Sequence, residues 1–85
     1  MTARETPLEM VQRHVREGED HIRRQRDLVE HLEATQSSLT DEARALLTIF
    51  NSSQDAHKRH LAQIEEEMQS GGRDAHGNLL PLRPL

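Results

Sequence analysis

An all-α antiparallel two-helix hairpin, coiled-coil-like and dimerising into a four-helix bundle, is the fold this sequence predicts. Two heptad-spaced stripes carry the first part of that prediction. Leu8, Val11, Val15, Gly18, Ile22, Gln25, Val29 and Leu32 alternate steps of three and four, and so do Ala43, Leu47, Phe50, Gln54, His57, Leu61, Ile64 and Met68. Residues so spaced share one face of a helix. The second observation is that the stripes match when one is folded back on the other. Val11 then falls opposite Ile64, Val15 opposite Leu61, Gln25 opposite Phe50 and Leu32 opposite Ala43. Gly18 falls opposite His57, so the smallest residue of one stripe meets the largest polar ring of the other. The third observation is a further apolar row beside each stripe, which a lone hairpin leaves uncovered.

Residues 1–5 read as a flexible lead-in. Thr6-Pro7-Leu8-Glu9 is a helix start: threonine caps, proline fits the first helical position, and Glu9 completes a capping box. The first helix should occupy residues 6–35, and residues 7–35 would span roughly 43 Å. Gln36-Ser37-Ser38-Leu39 is the turn. Thr40 then caps a second helix over 40–69, with Asp41 and Glu42 at the positive end of its dipole. Ser70-Gly71-Gly72 ends it, glycine supplying the left-handed stop. Residues 70–85 read as a flexible Gly/Pro-containing tail. Its apolar end, Leu79-Leu80-Pro81-Leu82-Arg83-Pro84-Leu85, also suits a short extended docking peptide.

Composition narrows the function classes. The chain has 85 residues, 31% of them charged and 33% apolar, with Phe50 as its single aromatic of the Phe, Trp and Tyr class. That is one domain with a small core, a size at which association or staples commonly supplement burial. There is no cysteine, which removes disulfides, thiolate metal sites and thiol nucleophiles. The net charge is −4 with neutral histidines, the opposite of the basic excess of a general nucleic-acid binder. No apolar run approaches the ~20 residues that span a bilayer, and the first residues lack an apolar signal core. A cytoplasmic protein without nucleic-acid or membrane partners is the expectation.

The uncovered row runs through Met10, His14, Glu17, His21, Arg24, Leu28 and His31 on the first helix, and through Leu46, Ile49, Ser53, Ala56, His60, Gln63 and Glu67 on the second. Leu28, Leu46, Ile49, Ser53 and Ala56 predict a homodimer interface, because a bare apolar row is costly on a small protein and a twofold pair of hairpins covers it. The remaining faces are charged and available to a protein partner. Arg23-Arg24-Gln25-Arg26 is the densest basic run, but Asp20, Asp27 and Glu30 stand at helical pairing distance, which makes it a salt-bridged face. Gln25 and Gln54 interrupt the stripes as amides that fix register, with Gly18, Phe50 and His57 as the other register positions.

Six histidines make imidazole the richest functional group in the chain. His14 and Glu17 lie three apart on one helix, and His57 and His60 three apart on the other. Imidazole and carboxylate converging in a four-helix bundle is how such bundles hold transition metals, so these four are the candidate ligands. The Glu-x-x-His spacing of carboxylate-bridged di-iron bundles is absent. Without a metal, His57 is a core ring accommodated by Gly18, and His14 and His60 are half-exposed interface residues. His14-Val15-Arg16-Glu17-Gly18 resembles the histidine-phosphotransfer pattern, in which a histidine is followed four residues later by glycine; that resemblance implies a phosphoacceptor at His14. Those domains usually carry a cation three residues on, where this chain has Glu17, which repels a phosphoryl group.

More broadly, His14-Val15-x-x-Gly18-Glu19 with Gln25-Arg26 and Leu28-Val29 resembles a group of small helical-hairpin proteins of alphaproteobacteria such as rhizobia. The likeness runs over most of residues 8–65 and implies a hairpin in a bacterial cytoplasm, with no activity attached. No serine-histidine-acid arrangement and no glycine-rich phosphate loop points to an enzyme, and two such helices offer grooves rather than substrate pockets. The sequence therefore predicts a non-enzymatic interaction or regulatory hairpin without a cofactor. A histidine metal bundle and a phosphotransfer module stand as the alternatives.

Overall fold

The computed structural model describes residues 4–81 and consists of α1 (Pro7–Ala34) and α2 (Thr40–Gln69), packed antiparallel. The all-α hairpin expected from the stripes is the observed fold. α1 begins on the predicted capping box. The Thr6 hydroxyl accepts from the Glu9 amide and the Glu9 carboxylate accepts from the Thr6 amide, both at 3.1 Å. Glu5, in the expected flexible lead-in, is held by Arg13, whose Nε donates to it at 2.8 Å. That bond draws the Glu5 carboxyl below its ordinary range. Residues 1–3, the rest of that lead-in, and residues 82–85 lie outside the described residues.

Both helices end in the same way. At the end of α1 the Ser37 amide reaches back to the Leu32 carbonyl (2.9 Å) and the Gln36 amide to that of Glu33 (3.1 Å). This is the Schellman arrangement, which needs a left-handed residue, here Gln36 at φ 52°. α2 closes likewise, with Gly72 bonded to Glu67 (2.7 Å), Gly71 to Met68 (3.3 Å), and Gly71 at φ 84°. Thr40 departs from expectation. It is the first helical residue rather than the cap, and its hydroxyl donates to the Ser37 carbonyl at 2.8 Å. The cap position is Leu39, whose side chain has nothing to offer the free amides. Asp41 and Glu42 in the first turn provide compensating charge.

The core is thin. Val11, Val29, Ala43 and Ile64 are its buried apolar members, and Gln25 and Gln54 are buried with them at 7% and 3% exposure. Each glutamine crosses to the other helix and donates to a main-chain carbonyl. Gln25 Nε2 reaches Ala43 O at 2.9 Å and Gln54 Nε2 reaches Val15 O at 2.8 Å. The register role expected of these amides thus has a geometry.

The register itself differs from expectation by about a turn in the middle of the hairpin. Gly18 faces Gln54 instead of His57: a Cβ on Gly18 would lie 2.0 Å from Gln54 Oε1 and 2.8 Å from its Cδ. His57 packs instead on His14, with ring centroids 5.3 Å apart, and Phe50 packs on His21 at 5.9 Å rather than opposite Gln25. The physical reason lies in the polar layer. Neighbouring layers of an apolar stripe match almost equally well, but a buried amide must find a partner. Only the missing side chain at Gly18 lets Gln54 approach the α1 backbone.

The flexible tail expected of residues 70–85 has, over its described part, a defined course. Residues 72–80 fold into a clasp over the open end of the hairpin. Arg73 and Leu79 form an antiparallel bridge, and Leu80 N donates to Gly72 O at 3.0 Å. The Asp74 carboxylate organises the bend, with Oδ1 accepting from the amides of His76 (2.9 Å) and Asn78 (3.0 Å). Gly77, buried at φ 85°, lies against Leu8 and the Ile64 methyl. His76 O accepts from Leu8 N at 3.1 Å, satisfying one of the free amides of the α1 N-terminus. Arg73, largely buried, pairs with Glu67 and donates to Gly77 O at 2.6 Å. Of the docking-peptide segment Leu79–Leu85, the described part leaves Leu79 and Leu80 exposed.

Candidate functional site

The two grooves between the helices differ in chemistry. One is lined by Glu19, Arg23, Arg26, Asp55 and Lys58, a charged and solvated seam. The other runs from His14 and His57 past His21 and Phe50 to Leu28 and Leu46. Helical spacing explains the division: residues 14, 17, 21 and 28 flank one side of the α1 core stripe, while 19, 23 and 26 flank the other.

Near the turn the second groove is apolar. Leu28 is 44% exposed, Leu46 41% and Ile49 59%, and all three belong to the row expected at a dimer interface. Ser53 and Ala56 continue the row as small exposed residues, so the surface flattens toward mid-length. There the groove deepens into a cleft of about 90 Å³ at His14, Glu17, His21, Ser53, Gln54 and His57. Among the residues that line it, two buried polar atoms have no hydrogen-bond partner, Gln54 Oε1 and His57 Nδ1. The first lies against the bare α-carbon of Gly18.

The proposed ligands are only partly brought together. His14, Glu17 and His57 line the one cleft, while His60 is exposed and stands apart from it. Glu17 turns away to Arg13, whose Nη1 lies 3.1 and 3.3 Å from its two oxygens. Among the described residues no group of three or more histidine, aspartate or glutamate side chains is close enough to share an ion. Beside His14, the space that a phosphotransfer histidine needs at its glycine is filled by the Gln54 amide. Among the described residues no helix is long and apolar enough to cross a membrane.

No family model matches the chain, and neither does any curated protein or solved structure. Two parts of the site are not legible at the sequence level. The stripe puts Gln54 in the core but not opposite Gly18, although a long amide near a glycine on a facing stripe is the available signal. The clasp escapes a sequence reading because Asp74-Ala75-His76-Gly77 has the composition of the tail around it. Aspartate first and glycine fourth is nevertheless a turn signature.

Proposed function

We propose that this protein is a non-enzymatic interaction module: a helical hairpin that pairs with a second copy of itself through its more apolar groove and leaves its charged faces to a protein partner. The observation that carries the proposal is the exposure of Leu28 and Leu46 together on the apolar groove near the turn, with exposed Ile49 one turn further along α2. A second copy is the fitting occupant. The opposite groove is densely charged, so two hairpins present each other with one apolar face and keep the other wet. A twofold axis lets the same three residues serve both sides, and four helices enclose the core that two cannot.

The test is sedimentation or light scattering at micromolar concentration. A mass twice the 9.8 kDa chain is expected, and a monomer would refute the proposal. Ile49→Glu places a carboxylate at the seam, and leaving it unpaired on burial is strongly unfavourable. The variant should sediment as a monomer and remain helical.

A further inference from the structure

The groove that the proposed function assigns to a second copy deepens, at mid-length, into a cleft between the two helices. His14 stands on α1 and His57 on α2, with ring centroids 5.3 Å apart and planes tilted by 38°. The two imidazoles come from different helices, so whatever binds both ties the helices together. His57 Nδ1 is buried without a partner, and the 97%-buried Gln54 beside it carries an unpartnered Oε1. Buried polar atoms are almost always bonded, so the unpartnered nitrogen of His57 marks a group that lacks its ligand.

We propose that His14 and His57 chelate a divalent transition ion of the zinc, nickel or copper class across the two helices. The spacing fits that ion. Two imidazoles bound to one tetrahedral zinc at about 2.0–2.1 Å per nitrogen hold their ring centroids roughly 5 Å apart. Lone-pair nitrogen selects this borderline class over magnesium or calcium, which take oxygen ligands. Because among the described residues no third carboxylate or imidazole already converges on the pair, water completes the coordination, or Glu17 does after leaving Arg13. The chelate lies within one chain and does not require the dimer.

The experiment uses the full chain, stripped with a chelator and melted with and without added zinc chloride, with magnesium chloride as the hard-ion control. At free zinc about a hundred times Kd, Tm should rise by at least roughly 10 °C for a domain of this size. Magnesium should leave it unchanged. His14→Ala and His57→Ala should each abolish the rise, and His31→Ala should retain it. His14 and His57 are both half-buried; where His57→Ala fails to fold, His14→Ala carries the test. No shift with zinc, or an equal shift in His14→Ala, would overturn the site. Light scattering on the same samples separates the two proposals. A dimer indifferent to zinc removes the metal site alone, and a monomer stabilised by zinc removes the dimer alone.

Discussion

Replacing Gly18 by alanine sets two effects of opposite sign against each other. In an open helix interior the change gains about 1 kcal/mol from helix propensity. Here the new methyl group would stand 2.0 Å from Gln54 Oε1 and 2.8 Å from its Cδ, distances no side chain tolerates. The amide must leave. Its bond to Val15 O, worth about 1 kcal/mol net, goes with it, and stranding the buried group adds about 1–3 kcal/mol. The loss exceeds the gain, and Gly18→Ala should destabilise the hairpin by about 1–3 kcal/mol. For a domain of this size that lowers Tm by at least about 4 °C, read by far-UV circular dichroism. The decisive comparison is the same substitution in a Gln54→Ala background. The wall is then gone, and Gly18→Ala should raise stability by about 1 kcal/mol. His57→Ala should not bring the same relief. A higher Tm for Gly18→Ala in the otherwise unaltered protein would refute the anchored amide and the register built on it.

Gln36→Gly should stabilise by about 1 kcal/mol in urea unfolding, because Gln36 sits at φ 52° where a β-carbon is a penalty. Gly77→Ala should cost about 1–3 kcal/mol and speed hydrogen exchange at the Leu8 amide. Its β-carbon would meet Leu8 N, Leu8 Cβ and an Ile64 methyl at 3.0–3.2 Å, on a backbone at φ 85°. The clasp should also respond to acid. The backbone amides of His76, then of Asn78, hold the Asp74 carboxyl below its ordinary range. An opened clasp therefore binds the proton more readily than a closed one, so the contribution is present above the usual aspartate value near 4 and fades as pH falls below it. Protection of the Asn78 amide should drop over that interval, and Asp74→Asn, which keeps an acceptor oxygen but cannot titrate, should flatten the response. Unchanged protection down to about pH 3 would show that the carboxylate does not hold the bend.

The helices were legible because their signals are local. A capping box at Thr6–Glu9, stripes of fixed period and a glycine stop at Gly71 each act over a few residues, and all three stand where the sequence places them. The register was less legible. Sliding two apolar stripes by one layer changes little in buried area, and what decides between layers is the reach of one amide to one carbonyl, as Gln54 to Val15 shows. The left-handed Gln36 was hidden because no glycine marks it. Of the candidate site, the histidine pair was visible by residue type, but its pairing was assigned to the wrong layer. The clasp depends on contacts between residues 8, 64 and 77 that no local pattern encodes. Its apolar, proline-bearing surroundings also have the composition of a loose end.

The two glutamines that cross the helix interface have a bearing on how this sequence can drift. Both address the peptide unit, at Ala43 and at Val15, so neither bond depends on the side chain those positions carry. Apolar residues along the seam are then exchangeable within their volume, while the donors and the gap at Gly18 are not. Divergent sequences that keep glutamine, glutamine and glycine at these three positions should retain this alignment even after their hydrophobic residues no longer correspond one to one. A search keyed on that sparse trio, rather than on overall similarity, is the way such sequences would be found.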